Sequence, residues 1–208
     1  MIATGRKIVL ASGSPRRKEL LKGIGLKFTI HISSFREVSG GRGRTPRAVA
    51  IHNARGKAVY VARHYKDALV IGVDTIGALR GRVFGKPRDD GHARRILRTL
   101  SGTTHEVISA VCVIDTASGR RFEAVERTKV TFAKMTREEI DWYIASGEQR
   151  DKAAAFAIQG LGSLFIKKIN GDYFNVVGLP IFTLGRLLRK IATGDIGRRS
   201  GSGKLKMR

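Results

Sequence analysis

The chain is a succession of apolar runs separated by polar, glycine-bearing breaks. Lys7–Ala11, Lys27–Ile32, Leu69–Val73, Thr104–Ile114, Phe122–Phe132 and Ser163–Ile169 are rich in aliphatic and β-branched residues and predict strands. Thr116, Ala117, Ser118 and Gly119 read as the turn of a long antiparallel hairpin. Helical spacing fills the intervals. One helix is predicted from Pro15 to about Gly23, with Leu20, Leu21 and Ile24 on one face and Ser14 as its N-cap. Others run from about Pro46 to His64 and from Asp90 to Leu100. Thr136 and Glu139 form a capping box that opens a helix through Ala145. The last helix starts near Pro180, carries Ile181, Leu184, Leu188 and Ile191 on one stripe, and stops at Gly194. Strands alternating with helices, plus a hairpin, predict an α/β protein with a mixed sheet.

Composition changes the picture in one respect. The length of 208 residues and the apolar fraction of 42% suit one globular domain, expected over residues 1–194. The formal charge of +23 is far from ordinary and implies polyphosphate partners, from nucleotides to nucleic acid. The basic residues concentrate in Arg36 to Arg47 and in the Gly/Ser-rich segment 195–208, expected to be a disordered tail capable of nonspecific nucleic-acid contact. Neither stretch interleaves aromatics as a single-strand binding surface would. The lone Cys112 has no disulfide partner within the chain. No apolar run is long enough to cross a membrane, and Lys7–Ala11 is too short for a signal-peptide core, so a cytoplasmic protein is expected. His31, His52, His64, His92 and His105 are scattered, and no Cys/His spacing suits zinc.

The candidate chemistry lies in short motifs. Ser12-Gly13-Ser14-Pro15-Arg16-Arg17 joins a strand to a helix start, where free N–H groups, hydroxyls and two guanidiniums suit an anion. It is neither a Walker A loop nor a GxGxxG turn. Asp74 ends the apolar run Ala68–Val73, a common place for a general base or an Mg²⁺ ligand, and Thr75 follows with a hydroxyl. Lys86, between Gly85 and Pro87, is placed to aim an ammonium at phosphate. Lys57 sits among Ala54, Gly56 and Ala58 on a packed helix face, so it either snorkels or points into a site. Glu37 is an ion-pair partner or a second metal carboxylate. Gln159 has the donor and acceptor needed to read the edge of a pyrimidine. Ser12 and Ser14 lack a histidine partner for a nucleophile triad, so metal-assisted phosphate hydrolysis fits the available groups best. The competing reading, suggested by charge and tail, is a nucleic-acid-binding protein. Glu37 and Asp74 argue against it, because carboxylates repel phosphate unless a metal intervenes.

Taken in order, Ser-Gly-Ser-Pro-Arg-Arg at 12–17, Gly-Val-Asp-Thr at 72–75, Gly-Lys-Pro at 85–87, Leu-Ser-Gly-Thr-Thr-His at 100–105, Asp-Lys-Ala at 151–153, Ile-Gln-Gly at 158–160 and Asn-Val-Val-Gly-Leu-Pro at 175–180 resemble the Maf family of nucleoside triphosphate pyrophosphatases. The resemblance covers about Ile8 to Ile191. It implies an elongated α/β fold of two lobes around a cleft, a homodimer, and cleavage of a nucleoside triphosphate to the monophosphate and pyrophosphate with a divalent metal such as Mg²⁺ or Mn²⁺. Asp74 resembles the family's catalytic aspartate. Ser12, Arg16, Arg17, Glu37, Lys57 and Lys86 fall where the family keeps phosphate- and metal-handling residues. Arg16, Thr75 and Gln159 resemble the branch acting on dTTP and UTP rather than the one acting on 7-methyl-GTP; cleaning of other non-canonical nucleotides is the alternative within the family. Three departures stand out: Ala154 where the family pattern has glycine, Gln149 where it has proline, and Ile76-Gly77 where a β-branched pair is usual.

Overall fold

A computed structural model describes residues 5–40 and 43–194. The segment 195–208 and part of the Arg/Gly stretch lie outside them. The strands are β1 (Ile8–Leu10), β2 (Thr29–Ile30), β3 (Leu69–Leu79), β4 (Arg82–Phe84), β5 (Thr104–Asp115), β6 (Arg120–Phe132) and β7 (Ile166–Asn170). The helices are α1 (Pro15–Gly23), α2 (Pro46–Ala62), α3 (Asp90–Leu100), α4 (Arg137–Ala145), α5 (Tyr173–Val177) and α6 (Ile181–Thr193). The strands make one seven-stranded mixed sheet in the order β2-β1-β3-β5-β6-β7, with β4 also paired to β3. β1 runs parallel to β2 and β3, and the remaining pairs are antiparallel. No described helix is long and apolar enough to cross a membrane.

Strand alternation divides the core. On one face Val70, Ile76 and Ala78 of β3, with Ile108, Ala110 and Cys112 of β5, pack against Val49, Ala54, Ala58 and Val61 of α2. On the other, Leu69, Ile71 and Val73 pack with Leu21 of α1 and Leu184 and Leu188 of α6. Gly72 lets α2 approach the sheet: a Cβ there would collide with the carbonyl oxygen of Ala54 and with Ala58. A third cluster joins α3, α4 and the far half of the hairpin through Leu97, Val130, Phe132 and Tyr143.

Several expectations need correction. β3 does not end before Asp74 but runs five residues further, so Asp74 lies mid-strand. β1 is the strand that ends. On β3 it pairs only with Leu69–Ile71, and β4 pairs with Gly77–Leu79, so residues 72–76 of β3 have no strand beside them on that edge. β2 is shorter than its apolar run, and both its residues are exposed. Leu161–Phe165 is a 3-10 turn rather than the start of β7. Ser14 occupies the N-cap of α1 without a side-chain capping bond. The Thr136/Glu139 capping box and the Gly194 stop are present.

His105, in the Leu-Ser-Gly-Thr-Thr-His motif, is buried against Phe132 and Phe156 at ring separations of 4.9 and 5.3 Å. Neither ring nitrogen has a partner. Burial pulls its pKa down to about 4. The unfolded chain therefore binds a proton near pH 6.5 that the folded protein refuses, and stability falls as the pH drops from 6.5 towards 4. His105→Phe is expected to remove about 2–3 kcal/mol of that acid loss, read as the difference between urea midpoints at pH 7 and pH 4.5.

Candidate functional site

The open stretch of β3 is where the charged residues meet. Asp74 points to the α2 face and is 4% exposed. Lys57 and Asn53 lie one helical turn apart on α2 and project to the same side. The Lys57 ammonium donates to Asp74 Oδ1 at 2.7 Å and to the Val73 carbonyl at 3.2 Å. It also pairs with Glu37 Oε1 at 2.8 Å. Asn53 donates to the other oxygen, Asp74 Oδ2, at 3.0 Å. One ammonium thus bridges two carboxylates, and every described donor to Asp74 comes from α2. Burial alone would raise the Glu37 carboxyl; the Lys57 charge, helped by Lys86 and Arg17, overrides it and holds the group below its ordinary value.

Thr75 is adjacent in sequence but points to the opposite face. Its hydroxyl meets Ser109 Oγ at 2.8 Å and the Gly178 carbonyl at 3.2 Å. Arg17 is buried there too, donating to Gly178 O at 2.9 Å, Ser12 Oγ at 3.0 Å and Thr75 Oγ1 at 3.2 Å. Ser12 Oγ also accepts from Ser14 N at 3.3 Å. Ser12, Arg17 and Thr75 therefore form a hydrogen-bonded knot that fixes the 12–17 loop to β3 and to the turn before α6. Burial lowers the Arg17 pKa, opposed by the charges of Asp74 and Glu37, which places this knot within electrostatic reach of the carboxylates.

The remaining expected residues line the surroundings. Arg16, half-buried, reaches the Asp151 carbonyl at 3.4 Å. Burial is the main cause that lowers the Lys152 pKa, and the like charges of Arg16 and Lys86 add to it. Arg16, Lys86 and Lys152 thus make a cationic group, with Lys86 also acting on Glu37. Gln159 is exposed and does not join the Asp74 cluster. It shares a cavity of about 330 Å³ with Arg16, walled by Leu20, Ile24, Phe174 and Val177.

Two residues escaped the sequence reading. Lys152 lies inside a motif that was recognised as a whole, so its charge was the signal. Asn53 had only its place four residues before Lys57 on a small-residue face.

The donor set suits a divalent cation. Glu37 and Asp74 converge on a single positive centre, and Mg²⁺ is commonly held by one or two carboxylates with phosphates and waters completing the shell. Among the described residues, no cluster of three or more His, Cys, Asp and Glu could hold a metal. Any such cation would therefore draw further ligands from substrate and solvent.

Known proteins resemble this chain closely. A dTTP/UTP pyrophosphatase of Dictyoglomus thermophilum is 44% identical over 186 residues, spanning 89% of this chain and 96% of that protein. A dTTP/UTP pyrophosphatase of Bacillus cereus is 47% identical over 185 residues, spanning 89% and 95%. Among solved structures the likeness is weaker. The Ham1 protein of Staphylococcus aureus matches with a TM-score of 0.44 and 16% identity, over 62% of this chain and 72% of that one. A nucleoside-triphosphatase / dITP/XTP pyrophosphatase of Mycobacterium abscessus matches with a TM-score of 0.41 and 13% identity, over 92% and 100%. The family model of the Maf-like protein matches residues 7–191, which include β1, the buried Asp74–Lys57 pair, α1 to α5 and all but the last two residues of α6. On that match and those identities, the chain belongs to the Maf-like family.

Proposed function

We propose that this protein hydrolyses dTTP and UTP to the monophosphate and pyrophosphate. The observation that carries the reading is the buried Asp74 carboxylate, held between Lys57 and Asn53 on the stretch of β3 that lacks a neighbouring strand on one edge. The two curated relatives of the same name, at 44% and 47% identity, support the substrate class.

Each residue then has a physical task. Asp74 accepts the proton of the attacking water, using lone pairs that Lys57 and Asn53 leave free. Glu37 and Asp74 are the residues that would hold the divalent cation, Mg²⁺ or Mn²⁺. That cation, when bound, supplies charge neutralisation on the triphosphate and polarises the reacting phosphorus. Arg16, Lys86 and Lys152 neutralise the charge that builds on the leaving phosphates as the P–O bond breaks. Ser12, Arg17 and Thr75 keep the 12–17 loop and β3 in register behind the site. The cavity between α1 and α5 receives the base: its apolar walls stack against the ring, and Gln159 reads the ring's edge. A protein that only binds nucleic acid has no use for two carboxylates bridged by an ammonium at this place.

The test is a panel of canonical and modified nucleotides with Mg²⁺ or Mn²⁺. Turnover of dTTP and UTP is expected to exceed that of purine triphosphates, to yield pyrophosphate rather than orthophosphate, and to stop when a chelator removes the metal. Equal turnover of all bases, or orthophosphate as the first product, contradicts the reading.

A further inference from the structure

We infer that Asn53 is a positioning residue that fixes the separation of Glu37 and Asp74 and thereby sets the grip of the site on its divalent cation. This rests on the reading of the two carboxylates given above. Asn53 is 1% exposed and spends its amide on both sides of the site. Nδ2 donates to Asp74 Oδ2 at 3.0 Å and to the Val38 carbonyl at 3.0 Å. Oδ1 accepts from the Val38 N–H at 2.9 Å. Asn53 thus treats Val38 as a strand neighbour would, bonding both of its main-chain groups, while gripping the catalytic carboxylate with the same nitrogen.

The neighbouring chain explains why such a device is needed. Residues 31–40 form no helix or strand, so Glu37 has no sheet to set its position. Two fasteners hold this segment to α2. Phe35 seats its ring on Gly56, where a Cβ would collide with it, and Val38 bonds Asn53. Glu37 lies between them. Lys57 bridges the carboxylates too, but as a long flexible cation it tolerates a range of separations. The planar amide of Asn53, locked by three bonds and buried, does not.

Outer groups that orient metal ligands commonly change metal affinity by 10- to 100-fold when removed. Asn53→Leu keeps similar bulk and deletes all three bonds. The experiment measures Mn²⁺ binding by electron paramagnetic resonance in the presence of a non-hydrolysable α,β-imido dTTP, alongside nucleotide KM and kcat at saturating Mn²⁺. The expected result is an Mn²⁺ half-saturation raised about tenfold or more, with a lower kcat and a nucleotide KM altered less than about threefold. Asn53→Ser, smaller and lacking the amide donor to Asp74, carries the same test if the leucine variant does not fold. A folded variant whose Mn²⁺ half-saturation equals that of the wild type overturns the inference, even if it melts earlier, because a merely structural asparagine would lower stability alone. Absence of any Mn²⁺ response in the wild type overturns the reading of the site itself, an outcome separate from the first.

Discussion

Lys57→Met is expected to destabilise the protein by about 3–5 kcal/mol and to abolish turnover. The methionine fits the aliphatic track of the lysine but brings no charge. Asp74, whose side chain is 5% exposed, would be left with Asn53 as its described donor and with Glu37 facing it uncompensated. A buried charge stripped of its partner is far more costly than a surface pair, and the Lys57–Asp74 contact at 2.7 Å is such a buried pair. Glu37 is half-exposed, so its share of the loss is screened by water and contributes little. One signature distinguishes this cause from simple mispacking. Mn²⁺ should restore more stability to the variant than to the wild type, because a cation then occupies the place the ammonium left. Urea denaturation of wild type and variant at pH 7, with and without Mn²⁺, reads it.

Gly77→Val is expected to destabilise by roughly 3 kcal/mol alone, and Ala154→Gly in the same chain to recover most of that loss. A Cβ on Gly77 would lie 2.5 Å from the Cβ of Ala154, which is fully buried. Ala154 adopts a φ of +58°, a left-handed conformation that suits glycine and costs an alanine about 1–2 kcal/mol. Its N–H is nonetheless held by the Gly85 carbonyl at 2.9 Å, next to Lys86. Gly77 and Ala154 therefore share one space, which a side chain on β3 and one on the 153–155 turn cannot both fill. The expected cycle has Gly77→Val strongly destabilised, Ala154→Gly within about 1 kcal/mol of wild type, and the double variant near wild type. Additive losses would contradict this coupling. Because Ala154 anchors the Lys86 loop, the Gly77→Val variant should also raise the nucleotide KM, and the double variant should restore it.

Much of the molecule was legible in the sequence because local signals agreed with the fold. The aliphatic runs of β1, β5 and β6, the capping box of α4, the proline starts of α1 and α2 and the glycine stop of α6 all marked elements that formed. The motif order named the family, and the structure brings the candidate residues Asp74, Glu37 and Lys57 together. What was missed depends on tertiary contact. The extension of β3 beyond Asp74 is polar and glycine-bearing at Asp74, Thr75 and Gly77, so the apolar run stopped before the strand did. The opposite orientation of Asp74 and Thr75 follows from that extension and from nothing local. α5 was hidden by the turn residues before it, Asn170 to Asp172. Asn53 carries no motif; only the return of residues 31–40 to α2 gives it a role.

In the proposed mechanism Asp74 activates the water that releases pyrophosphate. The most direct measurement of this is pyrophosphate release from dTTP with saturating Mg²⁺ by the wild type and by Asp74→Asn, each first shown to be folded. The asparagine keeps the shape but cannot take a proton, so the account predicts a fall in kcat of about 10²–10⁴-fold with KM little changed. An Asp74→Asn protein that retains wild-type kcat would contradict it.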